Sequence, residues 1–468
     1  MSRLEFFNFS DKYPVISDII TNLHQLPTKL IVTVDNANLN KFSIFHEDNL
    51  IELPFSNGKV LCSCDGRKTV KEIVDRFTSE GMSEYDIVSV LENAMFYGWI
   101  ELCDRPQPRK IKISGDIGHF YPKHAAIELT NVCNLFCKHC YREASFKGNF
   151  IPKNELFKTF DLLHEKGMTL IELTGGEPLL HPDFFEILTY ALKRFQLVAI
   201  LTNGTLVDEK MVEKLTPYKD RILVGVSIDS ATSDFHDRFR GKKGSWEKSC
   251  KAVSMLSGAG ILTRVAMSIT PENMGEIENM IHLSKKLGAM AFSFSLIMPF
   301  GRGASVKWDE VDASKMKLYG MMEKKIVKKY RKYVTIMPDR EMRRLLLGET
   351  NCGAGWRTGA ISPKGNFRPC VTLPEGLCDL GNVFEGGMDI FANPVMTSLC
   401  ETGSPNLVSC SGCPSFSFCG LCWYRGMIGS STNPNCKWDC AKLKSCMSKN
   451  VMENVKDSCI ISKMSLLV

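Results

Sequence analysis

The sequence lacks the features of a membrane or secreted protein. It has no run of about 18 apolar residues, the length that a bilayer-spanning helix needs. Its first ten residues, MSRLEFFNFS, are not a basic segment followed by an apolar stretch, so we expect no secretory signal. The net charge of +6 over 468 residues is too small to indicate nucleic-acid binding. We therefore expect a cytoplasmic protein with no membrane span and with two or three domains.

Cysteine, in contrast, is abundant. The chain has 19 cysteines, and many of them are closely spaced. In a secreted protein such a pattern is typical of disulfides, but clustered thiols in a reducing compartment are more often metal ligands. The cysteine pattern therefore predicts metal centres.

The middle of the chain alternates strand-like runs with amphipathic helical segments. The predicted strands are residues 125–130, 169–174, 198–202, 222–228, 263–269 and 291–297, and the clearest helices are 154–166, 183–194 and 244–258. Six βα repeats predict an α/β fold with a parallel sheet, closed most simply as a partial (β/α)6 barrel. Active sites in such folds lie where the strands end.

The loop after the first of these strands contains three cysteines, Cys133, Cys137 and Cys140. A four-iron cluster needs four ligands, so three local thiolates would leave one iron open to another molecule. The alternative is a zinc site that uses His139 as its fourth ligand. The triad alone leaves both alternatives open.

The next strands end in polar or glycine-rich motifs. These are Gly175-Gly176-Glu177-Pro178, Thr202-Asn203-Gly204 and Ser227-Ile228-Asp229. Adjacent glycines let backbone amides approach a ligand closely, and Glu177 can accept a hydrogen bond from an ammonium group. Hydroxyl, amide and carboxylate groups at successive strand ends are suited to binding a ribose.

With these motifs, residues 125–303 resemble a radical S-adenosylmethionine (SAM) domain. The resemblance implies that Cys133, Cys137 and Cys140 are catalytic and hold a [4Fe-4S] cluster whose open iron binds SAM, which is cleaved to a 5′-deoxyadenosyl radical. It also implies cofactor contacts from a set of residues along the strand ends: His139, Gly175, Gly176, Glu177, Asn203, Ser227, Asp229 and Arg240. Among these, Arg240 would meet the methionine carboxylate, unless it is an ordinary solvated arginine at a helix start.

A second set of cysteines follows in the C-terminal third: Cys352, Cys370, Cys410, Cys413, Cys419, Cys422 and Cys436. Zinc ribbons are one interpretation. The set also resembles the SPASM extension of radical SAM peptide maturases, which implies two auxiliary [4Fe-4S] clusters, although Cys419 and Cys422 are separated by two residues and not the usual three.

The family pairing divides these ligands unequally. It assigns Cys410, Cys413, Cys419 and Cys436 to one cluster, and Cys440 is an alternative to Cys436. It leaves only Cys352, Cys370 and Cys422 for the other. One iron there would be free to bind a substrate thiolate, unless Cys378 is its fourth ligand.

The N-terminal segment has the pattern of a small winged helix-turn-helix. Strand-like runs at 30–34, 42–46 and 50–54 precede helices, the first with a capping box at Thr69 and Glu72 and the next with Ser83 as its cap, and residues 99–102 return as a strand. DNA binding is the common use of this shape. However, no lysine or arginine lies between Phe77 and Asp104, so the potential has the wrong sign for phosphates.

The segment instead resembles the recognition element of ribosomal-peptide maturases, with CDGRKTVKEIV at residues 64–74 as the matching run. Such elements bind a leader peptide by strand addition. The resemblance implies a leader-binding surface formed by strand 49–54 and helix 84–96.

We therefore expect a peptide-recognition domain (1–105), a radical SAM core (106–310), a helical bridge (311–347) and an auxiliary-cluster domain (348–468). This order resembles sactipeptide synthases of the subtilosin type. It implies a thioether crosslink between a cysteine sulfur and a backbone carbon of one precursor peptide, with a flavodoxin or ferredoxin as electron donor. Attack at a β- or γ-carbon, carbon–carbon crosslinking, epimerisation, sulfatase maturation and a non-catalytic iron–sulfur sensor are the alternatives.

Overall fold

A computed structural model of the chain describes residues 9–18, 20–25, 29–34, 50–111, 113–115, 117–142, 144–297, 301–305, 313–334, 345, 347, 350–373, 375–376, 378–385, 389–413 and 416–446. The chain divides into two compact units, Met1–Tyr121 and Pro122–Val468. Each unit is described by itself below.

Within the described part of the first unit there are six strands: β1 (Tyr13–Ile16), β2 (Ile20–Gln25), β3 (Lys29–Val34), β4 (Leu50–Pro54), β5 (Ile100–Cys103) and β6 (Ile113–Gly115). Strands β1 and β5 pair antiparallel, and the other four form a sheet in the order β4-β3-β2-β6. The predicted strand at 42–46 lies outside the described residues. Strands β1, β2 and β6 were not predicted.

The described residues of the first unit also form three helices: α1 (Phe55–Cys62), α2 (Val70–Ser79) and α3 (Glu84–Phe96). The Thr69 side chain accepts from the Glu72 amide and the Glu72 carboxylate accepts from the Thr69 amide, which confirms the capping box. Ser83 caps α3 through the Asp86 amide, also as predicted. Buried apolar side chains of all three helices form one core with those of the strands.

The second unit is built on an eight-stranded sheet. Its strands are β7 (His124–Glu128), β8 (Leu170–Thr174), β9 (Leu197–Thr202), β10 (Ile222–Ser227), β11 (Leu262–Ile269), β12 (Ala291–Leu296), β13 (Thr358–Ile361) and β14 (Phe367–Arg368). The order is β12-β11-β10-β9-β8-β7-β13-β14, and every neighbouring pair is parallel except β13 with β14. All six predicted strands are confirmed.

The cysteine-rich segment therefore extends the sheet, which the sequence did not predict. Strand β13 pairs in parallel with β7, and β14 turns back against β13. These strands have four and two residues, which is too short for a periodic pattern to mark them.

Helices connect the parallel strands of the second unit: α4 (Lys153–Glu165), α5 (Phe184–Leu192), α6 (Glu209–Leu215), α7 (Ser233–Arg240), α8 (Ser245–Gly258) and α9 (Ile277–Lys286). They are followed by α10 (Ala313–Lys329), in the predicted helical bridge, and by α11 (Pro394–Glu401), α12 (Phe416–Cys419), α13 (Trp423–Thr432) and α14 (Ala441–Cys446). Across the part of the chain that the structure describes, no helix combines the length and the apolar character that a membrane span requires.

Candidate active site

The three cysteines of the first motif lie in the loop that leaves β7. Cys133 and Cys137 are each 7% exposed, and Cys140 packs with them against Leu135 and Ala144. The Cys133 amide donates to the Ser145 carbonyl at 2.7 Å, which folds the loop back on itself. The loop therefore gathers the three thiols into one small, largely buried group.

The loop is also fastened to the end of α7 and to a later arginine. The amides of Phe136 and Lys138 donate to the carbonyls of Arg240 and Phe239. Arg302 donates from Nε to the Cys137 carbonyl at 2.8 Å, and its guanidinium lies 4.0 Å from the centre of the Phe136 ring. Arg302 was not predicted as a site residue, because nothing in its local pattern links it to a loop some 160 residues earlier.

Polar nitrogens surround the buried sulfurs. Arg240 Nη1 lies 4.0 Å from the Cys137 sulfur, and Asn203 Nδ2 lies 4.0 Å from the Cys133 sulfur. Burial raises the pKa of the Cys133 thiol to about 12 and also raises the pKa of Cys137. Thiolates in such a site need a strong positive partner, and bound iron is one. The donor set therefore fits an iron–sulfur cluster.

The Gly-Gly-Glu-Pro motif packs directly on the start of this loop. The amides of Gly176 and Glu177 donate to the carbonyls of Thr130 and Val132 at 2.6 and 2.8 Å. A Cβ atom on Gly176 would lie 2.2 Å from the Val132 oxygen, and Gly175 has a φ of +135°. The close approach that these glycines permit is thus made to the chain itself, and their contact with SAM stays a prediction.

Glu177 is fully buried and joins two strand ends. Its carboxylate accepts from the Thr202 hydroxyl at 2.7 Å, from the Asn203 amide at 2.8 Å and from the Leu179 amide at 3.2 Å. Burial raises the pKa of Glu177 to about 7 despite these hydrogen bonds. Asn203 in turn donates from Nδ2 to the Asn134 side chain at 2.9 Å, inside the cysteine loop.

Asp229 and Arg240 form a buried ion pair. Arg240 Nε lies 2.6 Å from Asp229 Oδ2, and Asp229 Oδ1 accepts from the Ser268 amide at 2.9 Å. Burial alone would raise the pKa of Asp229, but the Arg240 charge and hydrogen bond lower it to about 2. Arg240 is 7% exposed and is the last residue of α7, so it is not a solvated arginine at a helix start.

The two remaining predicted contact residues lie at the same end of the sheet. His139 stacks on Phe239, with ring centres 4.3 Å apart, and burial lowers the pKa of this histidine to about 3. Its Nδ1 atom is buried without a hydrogen-bond partner in the described structure. Ser227 ends β10 and is in register with Ala266 of β11.

The C-terminal cysteines form two neighbouring groups. Cys352 lies within electrostatic range of Cys370 and Cys422. In the other group, Cys419 lies within electrostatic range of Cys410, Cys413 and Cys436, and also of Cys422 in the first group. Their roles as ligands stay predictions.

Two further cysteines lie beside these groups. Cys378 is 1% exposed and lies near Cys370, and Cys440 lies near Cys436. Within the described ranges, no three Cys, His, Asp or Glu side chains are close enough to hold a single metal ion. The four-iron cluster that the triad predicts would bind each thiolate through a different iron.

A group of charged residues on the strands was missed by sequence analysis. Glu128 at the end of β7 forms ion pairs with Arg142, two residues after the cysteine triad, and with Arg368 of β14. The sequence did contain a signal for these residues, because a buried parallel strand is normally apolar throughout and a glutamate within one is unusual. Glu128 and Glu172 interrupt the strands β7 and β8 at the same place in the repeated run IELT.

The first unit has an exposed aromatic surface on α3. Tyr85 and Phe96 are 74% and 82% exposed, and Tyr97, which follows the helix, is 55% exposed. Among the described strands, β4 lies at an edge of the sheet. These are the elements for which a leader-binding role is predicted.

Comparison with known proteins identifies the family. Residues 127–284 match the model of the radical SAM superfamily. The chain is 34% identical to the antilisterial bacteriocin subtilosin biosynthesis protein AlbA of Bacillus subtilis, over 91% of this chain and 96% of AlbA. It is 28% identical to the sporulation killing factor maturation protein SkfB of the same species, over 63% of this chain and 70% of SkfB.

Among solved structures, Streptococcus suis SuiB bound to its precursor peptide SuiA matches with a TM-score of 0.60. The match covers 93% of this chain and all of SuiB at 16% identity, so it shows the fold alone. The fold is the α/β architecture of this superfamily, consistent with the predicted partial barrel. Because the identity to AlbA extends over nearly all of both chains, the protein belongs to the radical SAM superfamily and, within it, to the family of peptide maturases that contains AlbA.

Proposed function

We propose that this enzyme installs thioether crosslinks in a ribosomally made precursor peptide, each joining a cysteine sulfur to a carbon of the same peptide. The observation that carries the proposal is the 34% identity to a subtilosin biosynthesis protein across 91% of the chain. The two groups of C-terminal cysteines support it, because the SPASM resemblance implies auxiliary clusters in such maturases.

Cys133, Cys137 and Cys140 would hold the radical SAM cluster that the family implies. When bound there, the cluster and SAM supply a radical that can remove a hydrogen atom from a peptide carbon. The protein's own residues would bury the cluster site and hold its ligands in position. The loop buries the Cys133 and Cys137 thiols, and the ion pair between Asp229 and Arg240 fixes a guanidinium 4.0 Å from the Cys137 sulfur.

The substrate would be held by the first unit through its leader. The acidic, aromatic face of α3 offers apolar contacts. Strand β4 is at the edge of the sheet among the described strands, and its outer backbone groups are offered for strand addition. SuiB, whose fold this chain shares, has been solved with its precursor peptide bound. A flavodoxin or ferredoxin would supply the reducing electron.

The two cysteine groups of the C-terminal segment would hold one auxiliary cluster each. Cys410, Cys413, Cys419 and Cys436 can supply four thiolates to one of them. Cys352, Cys370 and Cys422 supply three to the other, with Cys378 within reach of Cys370 as a possible fourth. An electron released when the sulfur–carbon bond forms would leave through one of these clusters.

The test is to search the neighbouring genes for a short cysteine-containing peptide and to incubate that peptide anaerobically with the reduced, iron-loaded enzyme. We expect the peptide mass to fall by about 2 Da per bridge, because each thioether removes two electrons and two protons. The Cys137→Ala enzyme is the control and should leave the mass unchanged. An unchanged mass with deuterium uptake from solvent would indicate epimerisation and would overturn the proposal.

A further inference from the structure

The parallel sheet of the second unit has one face that is not filled by apolar side chains. On β11, Val265, Met267 and Ile269 are buried, whereas the alternate residues Arg264, Ala266 and Ser268 are partly exposed. Successive side chains of a strand point to opposite faces. We call the face that carries Arg264 the inner face.

Small residues on the inner face leave space for long charged side chains. In the sheet register, Arg264 lies opposite Gly225 on one side and Ala291 on the other. A Cβ atom on Gly225 would lie 2.8 Å from Leu201 Cδ2 and 3.5 Å from Arg264 Nη2, so the glycine leaves room for both side chains. Glu172 is flanked in the same way, by Ala126 and Ala199.

The charged side chains here form an alternating series, which we call the charge array: Arg264, Glu172, Arg142, Glu128 and Arg368. Glu128 is ion-paired with both Arg142 and Arg368. Glu172 lies within electrostatic range of Arg142 and Arg264. The array thus has a guanidinium at each end, and its three positive charges exceed its two negative ones by one.

The two ends of the array differ. Arg368 is 1% exposed, and its Nη1 donates to the Leu373 carbonyl at 2.7 Å. Arg264 makes no hydrogen bond or ion pair in the described part of the chain, and its Nε is buried without a partner. Glu172 is the carboxylate within electrostatic range of Arg264, but it also faces His124 at 3.5 Å. Because Arg264 is partly exposed and makes no hydrogen bond to the described residues, its N–H groups can donate to a further carboxylate.

We propose that Arg264, supported by the adjoining Glu172 and Arg142, is a binding site for a carboxylate group on the inner face of the sheet. A carboxylate accepts two hydrogen bonds from one guanidinium, which is the geometry this residue offers. It can come from an acidic side chain or the C-terminus of the peptide, or from the methionine end of SAM. The inference deepens the proposed function, since the peptide source rests on it.

The experiment measures ligand affinity with the iron-loaded, full-length enzyme. The variants are Arg264→Gln and Arg264→Lys, and Arg238→Gln is the control, because Arg238 is 57% exposed on α7 and its nearest carboxylate, on Glu272, is 3.8 Å away. The probes are SAM and the precursor peptide identified in the test above. The peptide is also made with each Asp or Glu changed in turn to the amide, and with an amidated C-terminus.

We expect Arg264→Gln to weaken one of the two probes by about tenfold or more, Arg264→Lys to weaken it less, and Arg238→Gln to leave both affinities unchanged. If the carboxylate belongs to the peptide, one neutralised peptide will bind the unaltered enzyme more weakly than the original peptide does. The Arg264→Gln substitution will then cause no further loss of affinity for that neutralised peptide. If SAM is the source, Arg264→Gln will weaken SAM itself. Unchanged affinity for both probes overturns the proposal.

Two further readouts keep the result decisive. Iron content and denaturation midpoint report whether the variants fold. If Arg264→Gln does not fold, the affinities of the unaltered enzyme are measured for the neutralised peptides and for a carboxamide analogue of SAM. If each of these binds as tightly as the ligand with its carboxylate intact, the proposed carboxylate site is refuted. If the unaltered enzyme binds the peptide but forms no crosslink in it, the proposed function is refuted. The affinity measurements still test the carboxylate site at Arg264.

Discussion

At the scale of single residues, the pair of Asp229 and Arg240 is the clearest case of a buried charge kept by a partner. Asp229 has no exposed surface, and Arg240 is 7% exposed. A buried ion pair adds little net stability compared with apolar residues, but removing one partner leaves the other charge buried and uncompensated. We therefore expect a large loss of stability when one of the two residues is replaced and the other keeps its charge.

We expect Asp229→Asn to lower the free energy of unfolding by about 3–5 kcal/mol at pH 7, because Arg240 keeps its charge without a partner. The pKa of Asp229 is about 2 in the folded chain, below its value of about 3.9 when unfolded. Its contribution is thus complete above about pH 4 and is lost as the pH falls toward 2. Urea denaturation across this range measures both effects.

The matched control is Glu209→Gln. Glu209 is 80% exposed and pairs with Lys251, itself 66% exposed, at 3.4 Å, so its loss should cost less than about 1 kcal/mol. If Asp229→Asn costs no more than this control, the ion pair does not have the role given to it here.

The sequence predicted some of these residues and could not predict others. The spacing of Cys133, Cys137 and Cys140 is local, so it is visible in a row of letters. Whether Arg240 is solvated or buried depends on where α7 packs, and no local pattern records that. The contact between Glu128 and Arg368 joins positions 240 residues apart, and only the pairing of β13 with β7 brings them together.

At the scale of elements, long periodic segments were predicted well and short ones were not. The six strands β7–β12 and the helices α4, α5 and α8 carry enough alternation or helical period to be recognised. Strands β13 and β14 have four and two residues and owe their conformation to the partner strand. The caps at Thr69 and Ser83 were predictable because their hydrogen bonds are local.

The turn after β8 gives a prediction at this scale. A Cβ atom on Gly176 would lie 2.2 Å from the Val132 carbonyl oxygen, a backbone atom that cannot rotate away. We expect Gly176→Ala to destabilise the fold by about 1–3 kcal/mol by overpacking, and to lower the iron content by displacing the cysteine loop. Denaturation midpoint and iron per chain measure the two effects.

Gly258→Ala provides the comparison. Gly258 is the last residue of α8, and a Cβ atom there would meet nothing within 4 Å, so alanine should be neutral or slightly stabilising. If Gly176→Ala keeps full iron and stability like Gly258→Ala, then the close contact of the glycine turn with the cysteine loop is not required.

At the scale of the whole molecule, the predicted ligand cysteines lie in three groups, of which the two C-terminal ones are neighbours. The first lies after β7, and the other two lie in the C-terminal segment. If each group holds a [4Fe-4S] cluster, the anaerobically reconstituted protein will contain about 12 irons per chain. Exchanging Cys133, Cys137 and Cys140 together for alanine should leave about 8 irons, with the C-terminal clusters still visible by their absorbance. Zinc in place of iron would contradict this.

Two single substitutions sharpen the iron count. Cys250 lies on α8, outside the three groups, and is 8% exposed, so Cys250→Ala should keep about 12 irons. Cys378 is also buried, at 1% exposed, but lies beside Cys370. If Cys378→Ala also keeps about 12 irons, then Cys352, Cys370 and Cys422 hold their cluster with one iron open. A fall to about 8 identifies Cys378 as the fourth thiolate, and an incoming peptide thiol could then bind that cluster only by displacing a ligand.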